Sequence, residues 1–415
     1  MMHTPRPSVN LAPPPAQGLS IRRRPALALA VVAACAAWAA HLPARADTSA
    51  AAAPVYRIEP VAQGLEFPWS LAFLPDGRML VTERAGRLRV IERSAAGTAV
   101  LRAAPVEGVP PVLAQGQAGL FDVLVDPDFA RNGWIYLSFA HGTPQANHLR
   151  VVRARFDGAR LHEVQPIFTT QPAKTHAQHF GARMALLGDG TLVVTMGDGN
   201  LERTEAQRLN THRGKTIRIH RDGSVPADNP FVGRKDALPE IYSTGHRNPQ
   251  GLVFVAAAAQ GGNGGDNNNN PAGRLYLHEH GSKGGDELNR IVPGANYGWP
   301  LTTGGIDYTG ARVTPFRTLP GITPPLLEWT PSIAPAGMAY YGGDRFPAWK
   351  GSLFVAALKE KSVRRVPMAG DVPGTQELLF TELGQRMRDV RAGPDGALYL
   401  LTDDKQGQVL RVVPR

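Results

Sequence analysis

Six short β-prone runs, each turned back on itself at a tight Gly/Asp, Asp-Gly or Asn-Gly turn, recur along this chain and leave few architectures open. They read WSLAFLPDGRMLVTE (69–83), GLFDVLVDPDFARNGWIYLSF (119–139), GARMALLGDGTLVVTMGDG (181–199), HRNPQGLVF…GRLYLHEHG (246–281), AGMAYYGGDRFPAWKGSLFVAAL (336–358) and RDVRAGPDGALYLLTD (388–403). Apolar strand, turn, apolar strand is the pattern of an antiparallel hairpin, because Gly, Asn and Asp tolerate the positive φ of tight turns. The copies lie roughly 40–70 residues apart, at or above the period of a four-stranded propeller blade. Helical periodicity is hard to find after residue 55, and 45 glycines with 36 prolines favour strands and turns. The expected fold is all-β, a six-bladed β-propeller of four-stranded antiparallel blades; two β-sandwich domains are the competing reading. A propeller gathers one loop from every blade around a central channel, so residues hundreds of positions apart can meet in one pocket.

The first 46 residues read as a targeting segment. Arg22, Arg23 and Arg24 precede an apolar run from Ala26 to Ala40, and Ala44-Arg45-Ala46 offers small residues at a cleavage site. Export to a periplasm is expected, followed by a linker over 47–55 and a folded region over 56–415. Cys35 is the single cysteine, so a mature chain would hold no disulfide. Val32-Ala33-Ala34-Cys35 loosely resembles a lipoprotein box, which would give a membrane attachment only through lipid on Cys35; the paired arginines also suit a folded-protein export signal. The formal charge of +10 falls to +5 once the five arginines of this acid-free segment are set aside. No basic stripe remains, which argues against nucleic acid. Residues 256–273, AAAAQGGNGGDNNNNPAG, form a low-complexity insert expected to be a surface loop. The last strand, 408–413, is expected to close the ring by completing a blade with a strand from the other terminus, removing a sheet edge.

Three clusters carry more polar chemistry than a turn requires. Gly245-His246-Arg247-Asn248-Pro249-Gln250-Gly251 combines a planar five-donor fork with two amides. Thr175 to Arg183 places His176 and His179 at a strand entrance; the pair lacks cysteine or a helix to make a metal site, and a histidine facing a channel suits a general base. Leu277 to Asn289 brings Gly-rich turns with Asp286 and Glu287, hard oxygen donors of the kind calcium takes. Each cluster has a plain alternative: a polar blade corner, a structural histidine, and a Glu287–Lys283 ion pair. Gln115 to Gly119, Lys359, Arg386 and Arg388 are individually unremarkable. Placed with Arg247 at one channel mouth, one lysine and three arginines would repel each other unless a polyanionic ligand joined them.

The segments PWSLAFLPDGRMLVTER, GQAGLFDV…DPDF, HFGAR, GHRNPQG, EHGSKGGDELN, NYGWP, PSIAPAGMAYY, ALKEK and RMRDVRAGPDG run in order from residue 67 to 404. In that combination the chain resembles the soluble aldose sugar dehydrogenases of the glucose/sorbosone dehydrogenase group, which use pyrroloquinoline quinone (PQQ). The resemblance implies oxidation of an aldose at C1 to the lactone, with electrons passed to an external acceptor such as a quinone, cytochrome or dye. It implies that His179 is the base, that Gln117 contacts sugar or quinone, and that Arg247 and Asn248 contact the cofactor. Lys359, Arg386 and Arg388 fall where cofactor carboxylates are held. One calcium would rest on carbonyls of Gly281 and Ser282, the latter a proline in many relatives; a second site would involve Glu287, Tyr297 and Tyr308. Trp329 and the PSIAP stretch are expected to wall the sugar side. A non-catalytic calcium-stabilised sugar- or protein-binding propeller, or a lactonase-type hydrolase, are the alternatives.

Overall fold

The computed structural model describes residues 56–94, 96–257 and 273–415. The targeting segment with Cys35, the linker up to residue 55 and nearly all of the 256–273 insert lie outside the described residues.

Twenty-four strands form six four-stranded antiparallel blades, and one blade carries an extra short strand. The first blade is Pro68–Phe73, Met79–Glu83, Arg87–Arg93 and Ala99–Leu101; the second is Leu120–Val125, Trp134–Thr143, Ala146–Phe156 and Leu161–Thr169. Met184–Leu186, Leu192–Met196, Lys215–Ile219 and Ile241–Thr244 make the third; Pro249–Ala256, Gly273–Glu279, Asp286–Ile291 and Leu327–Trp329 make the fourth. The fifth is Pro335–Tyr341, Ser352–Ala357, Ser362–Ala369 and Val372–Pro373, with Glu377–Leu379 also paired to its third strand. Met387–Ala392, Leu398–Thr402 and Gly407–Pro414 begin the sixth, which is completed by Tyr56–Leu65 from the other end of the chain. The six recurrent hairpins are the two inner strands of the six blades. Innermost strands pack one against the next around the ring, the sixth meeting the first. The expected propeller is therefore the fold.

Why these strands read as continuous apolar runs, rather than alternating ones, follows from the packing. Six hydrophobic clusters occupy the six gaps between neighbouring blades. Within Met79-Leu80-Val81, Leu80 enters the cluster shared with the second blade while Met79 and Val81 enter the one shared with the sixth. Leu353 and Val355 likewise face the fourth blade, and Phe354 and Ala356 the sixth. Both faces of each inner strand are buried, so most positions are apolar. The polar residues are left to the loops and to the strand ends at the channel.

Candidate active site

One cavity of about 290 Å³ opens at the channel mouth, and every blade contributes to it. Trp69 and Arg84 come from the first blade, Gln117 and Phe121 from the approach to and start of the second, and His179, Phe180 and Gly181 from the segment entering the third. The fourth gives Arg247, Asn248, Gln250, His280 and, from its long final connection, Tyr308; the fifth gives Ala334 and Leu358; the sixth gives Arg386, Arg388 and Asp403. The structure thus brings together His179, Gln117, Arg247, Asn248, Arg386 and Arg388, six residues chosen on sequence grounds. His176 is exposed and is not part of the wall.

His179 is fixed on every side. Its backbone adopts φ +45°, a left-handed conformation that is unfavourable for a residue with a side chain. The peptide is held there by its N–H, which donates to Gln117 Oε1 at 3.0 Å. Gly197 makes the geometry possible, since a Cβ there would fall 2.2 Å from the His179 carbonyl oxygen. The imidazole is 7% exposed, and its Nδ1 lies 2.7 Å from Asp198 Oδ1. Asp198 is anchored in turn: its Oδ2 accepts from the Trp299 indole at 2.8 Å, and its Oδ1 from the Asn200 N–H at 2.7 Å. Burial opposes the charge of Asp198, but the His179 hydrogen bond and the Arg247 cation outweigh it and hold the carboxyl below its ordinary pKa. For His179 burial dominates, aided by Arg247 and Lys174, and lowers its pKa despite Asp198. The ring is therefore neutral near pH 7, with Nδ1–H donated to the carboxylate. That tautomer, assigned from the hydrogen bond, leaves the Nε2 lone pair as a proton acceptor.

The opposite side of the cavity is cationic. Asp403 Oδ1 accepts from Arg388 Nε and Nη2 at 3.1 and 2.9 Å, and Oδ2 accepts from Arg386 Nε at 3.0 Å. With Arg84 and Arg247 the wall holds four guanidinium groups and one carboxylate, an arrangement suited to an anionic guest. Arg183 is buried among the inner strands. Its carbonyl-directed Nε reaches Gln250 O at 2.9 Å, its Nη2 lies 3.2 Å from Asp389, and its guanidinium stacks 3.9 Å from the Trp69 ring centroid.

The Gly-rich loop expected to hold calcium has a mixed outcome. The Gly281 carbonyl accepts from Arg247 Nη1 at 2.5 Å, so a guanidinium stands where a cation was expected. Ser282 Oγ is buried with no hydrogen-bond partner among the described residues. A small cavity of about 10 Å³ is lined by Gly281, Glu287 and Tyr297, together with Glu279 and others. Glu287 faces Glu279 and Glu328 directly across adjacent strands, and burial together with the Glu279 charge raises its pKa well above the usual carboxyl range. A carboxyl so placed favours a proton or a cation beside it. Asp286, in contrast, is already saturated. Its Oδ1 accepts from Gly281 N–H, and its Oδ2 from Ser332 Oγ, Ile333 N–H and Ala334 N–H. Among the described residues no group of three or more His, Cys, Asp and Glu side chains has metal-holding geometry.

Three expected site residues lie elsewhere. Trp329 does not wall the cavity: it ends the outer strand of the fourth blade, 4% exposed, with its indole N–H donated to Gln376 Oε1 at 2.7 Å. Strand pairing with Asp286 turned it into the core between blades four and five. Lys359 is exposed and sits one residue beyond Leu358, which is the cavity-lining position. Tyr308 lines the large cavity with an exposed ring, 5.8 Å from the Arg247 guanidinium, apart from Glu287 and Tyr297 in the small one. Three participants were not singled out from sequence. Asp198 and Asp403 sit in Asp-containing turns, where an acid is ordinary, and Arg84 follows a strand as a solvated charge would.

The sequence profile of the Glucose / Sorbosone dehydrogenase family matches residues 65–411. The aldose sugar dehydrogenase YliI of Escherichia coli is 39% identical over 371 residues, covering 88% of this chain and 95% of its own. The apo-form crystal structure of the soluble aldose sugar dehydrogenase from Escherichia coli superposes with a TM-score of 0.79 at 38% identity, over 87% of this chain and all of that one. A PQQ-bound aldose sugar dehydrogenase from Streptomyces coelicolor gives a TM-score of 0.68 at 27% identity, over 88% of this chain and all of the other. With a six-bladed ring, a buried histidine–aspartate pair at its mouth and this breadth of likeness, the chain belongs to the glucose/sorbosone dehydrogenase family of sugar-oxidising oxidoreductases.

Proposed function

We propose that this protein oxidises aldose sugars at C1 to the lactone, using PQQ and calcium, and passes the electrons to an external acceptor. The observation that carries this reading is the pairing, in one cavity, of a neutral buried imidazole with four guanidinium groups and a single carboxylate. A neutral sugar or lactone gives no reason for that charge; a polycarboxylate cofactor does. The PQQ-bound relative from Streptomyces coelicolor supports the same identity for the guest.

Bound quinone and calcium would supply an electron-poor carbonyl able to accept two electrons as hydride. The chain's own residues do the rest. His179 Nε2 takes the proton of the C1 hydroxyl, and the resulting imidazolium is stabilised by Asp198 through Nδ1. Arg247 would offer positive charge to a quinone gaining electrons in this cavity, and the amides of Asn248 and Gln117 line the same wall. Arg386 and Arg388, pre-aligned on Asp403, hold cofactor carboxylates. Lys359 would reach the cofactor only by extending over the rim. The residues fit calcium in part: Glu287 is a buried carboxyl that favours a cation beside it, and Ser282 Oγ is buried without a partner among the described residues, whereas the Gly281 carbonyl is already taken by the Arg247 guanidinium, which would have to give way. The arginine-led apolar run over 22–40, read as a targeting segment, supports a periplasmic location.

The test is reconstitution of the purified chain with PQQ and calcium, then glucose and a redox dye. Dye bleaching that disappears in His179→Ala, while quinone binding persists, is expected. Absence of bleaching with any aldose under saturating cofactor overturns the proposal.

A further inference from the structure

Arg84 is built into the cavity wall with unusual care for a residue that contacts no acid. Its N–H donates to the Phe67 carbonyl at 3.1 Å and its own carbonyl accepts from Leu120 N–H at 3.1 Å. Gly119 clears a slot for it, because a Cβ at that position would lie 2.4 Å from both Arg84 Cγ and Arg84 O. The guanidinium carbon rests 4.5 Å from the centroid of the Phe67 ring. Phe67 is itself held at φ +46°, with its N–H on the Asp404 carbonyl at 2.8 Å, so the stacking platform is stitched to the loop that carries Asp403. Both ends of the side chain are therefore positioned before any ligand arrives.

Yet among the described residues the Arg84 guanidinium donates no hydrogen bond and closes no ion pair. Of the two acids whose charge reaches it, Asp403 has both oxygens engaged by Arg386 and Arg388, and Glu66 is paired with Arg87. Burial, with Arg388 and Arg386 adding to it against Asp403, lowers the pKa of Arg84. Three guanidinium groups around one carboxylate leave two positive charges unmatched at this corner, and Arg84 is the member with donors to spare.

We infer that Arg84 is a third cationic contact for the cofactor's carboxylates, and that this corner takes two carboxylate groups rather than one. The inference rests on the reading of the cavity as a quinone-cofactor site, and it adds a residue from the first blade to the set on the sixth. Arg386 and Arg388 would hold one carboxylate beside Asp403, and Arg84 the second. Geometry makes the roles unequal: removing Arg84 takes away an unshared donor without leaving Asp403 unpaired.

The test uses the full apo chain as wild type, Arg84→Met and Arg84→Lys, with two probes. PQQ binding is followed by quenching of tryptophan fluorescence, to which Trp69 in the wall contributes; citrate, a simple tricarboxylate, is followed by the rise it causes in melting temperature. Arg84→Met should weaken PQQ binding roughly 10- to 100-fold, the worth of a charge-assisted hydrogen bond, and should lose most of the citrate shift. Arg84→Lys should recover part of both. Without anion, Arg84→Met should melt at or above wild type, since it removes a like-charge repulsion and keeps an apolar stem on Phe67; a purely structural arginine would melt lower. Equal binding of both probes by Arg84→Met and wild type overturns the assignment. If wild type takes citrate but not PQQ, the cofactor reading falls, and the citrate arm still decides whether Arg84 is an anion contact. Failure of wild type to take either probe overturns both.

Discussion

Asp198→Asn is the substitution that separates a positioned base from a merely buried histidine. In wild type the carboxylate sits 2.7 Å from His179 Nδ1, and both groups are buried. When Nε2 gains a proton, a positive charge appears about 4 Å from a negative one, worth about 4 kcal/mol at an effective dielectric of 20. The nearby Arg247 and Lys174 cations oppose that charge, so the aspartate does most of the work of stabilising it. Asparagine keeps the side-chain volume and, through its carbonyl oxygen, the bond to Nδ1, while its NH2 then faces the Trp299 indole N–H and loses that bond. The charge-dependent part of the loss is therefore about 4 kcal/mol, roughly a 1000-fold fall in kcat. The Michaelis constant should move little, because the charge is absent in the ground state. The pH profile adds a second readout. Burial already lowers the His179 pKa, and Asp198 is what raises it. The acid limb of kcat should thus lie below the ordinary histidine value and move further to acid in the variant. Steady-state dye reduction at saturating PQQ, calcium and glucose, across pH 4.5–8.5, measures both. A variant that keeps kcat within about threefold of wild type, or whose acid limb moves toward alkaline pH, refutes the assigned pair.

Three further outcomes can be checked without knowing the preferred sugar. Arg388→Ala should raise the PQQ dissociation constant roughly 10- to 100-fold, read by fluorescence quenching, because it removes two donors and leaves the half-buried Asp403 half paired. Asp286→Asn should destabilise the fold by about 3 kcal/mol in urea melts, since one carboxylate joins the loop of the fourth blade to three donors at the start of the fifth. Burial depresses the His278 pKa to about 3, so the unfolded chain binds that proton first as pH falls below about 6.5. Stability from this group is complete above that pH and is lost toward pH 3 at about 1.4 kcal/mol per pH unit. His278→Gln should flatten the slope between pH 6.5 and 5, and an unchanged slope would place the acid sensitivity elsewhere.

The blades were readable in the sequence because both faces of each inner strand are buried, which made runs such as Met79-Leu80-Val81 uniformly apolar between turn residues. His179, Arg247 and Arg388 were readable because they are too polar and too many for the turns they occupy. Asp198 and Asp403 were not, since a turn acid looks the same whether it meets water or, as Asp198 does, an imidazole 19 residues away and an indole 101 residues away. Arg84 needed the ring to close before its neighbours at 386 and 388 existed in space. Trp329 misled for the opposite reason: proximity to the loop suggested a wall, while its strand register turned it inward.

The pairing of Tyr56–Leu65 with Gly407–Pro414 sets the order in which such a molecule can be made. A growing polypeptide lacks the partner for its first strand until nearly the last residue has been supplied, so five sheets can assemble while the sixth waits. Joining the two ends by a short peptide and opening the circle between two other blades should move that final sealing step elsewhere, leaving the finished ring unchanged and its assembly kinetics altered.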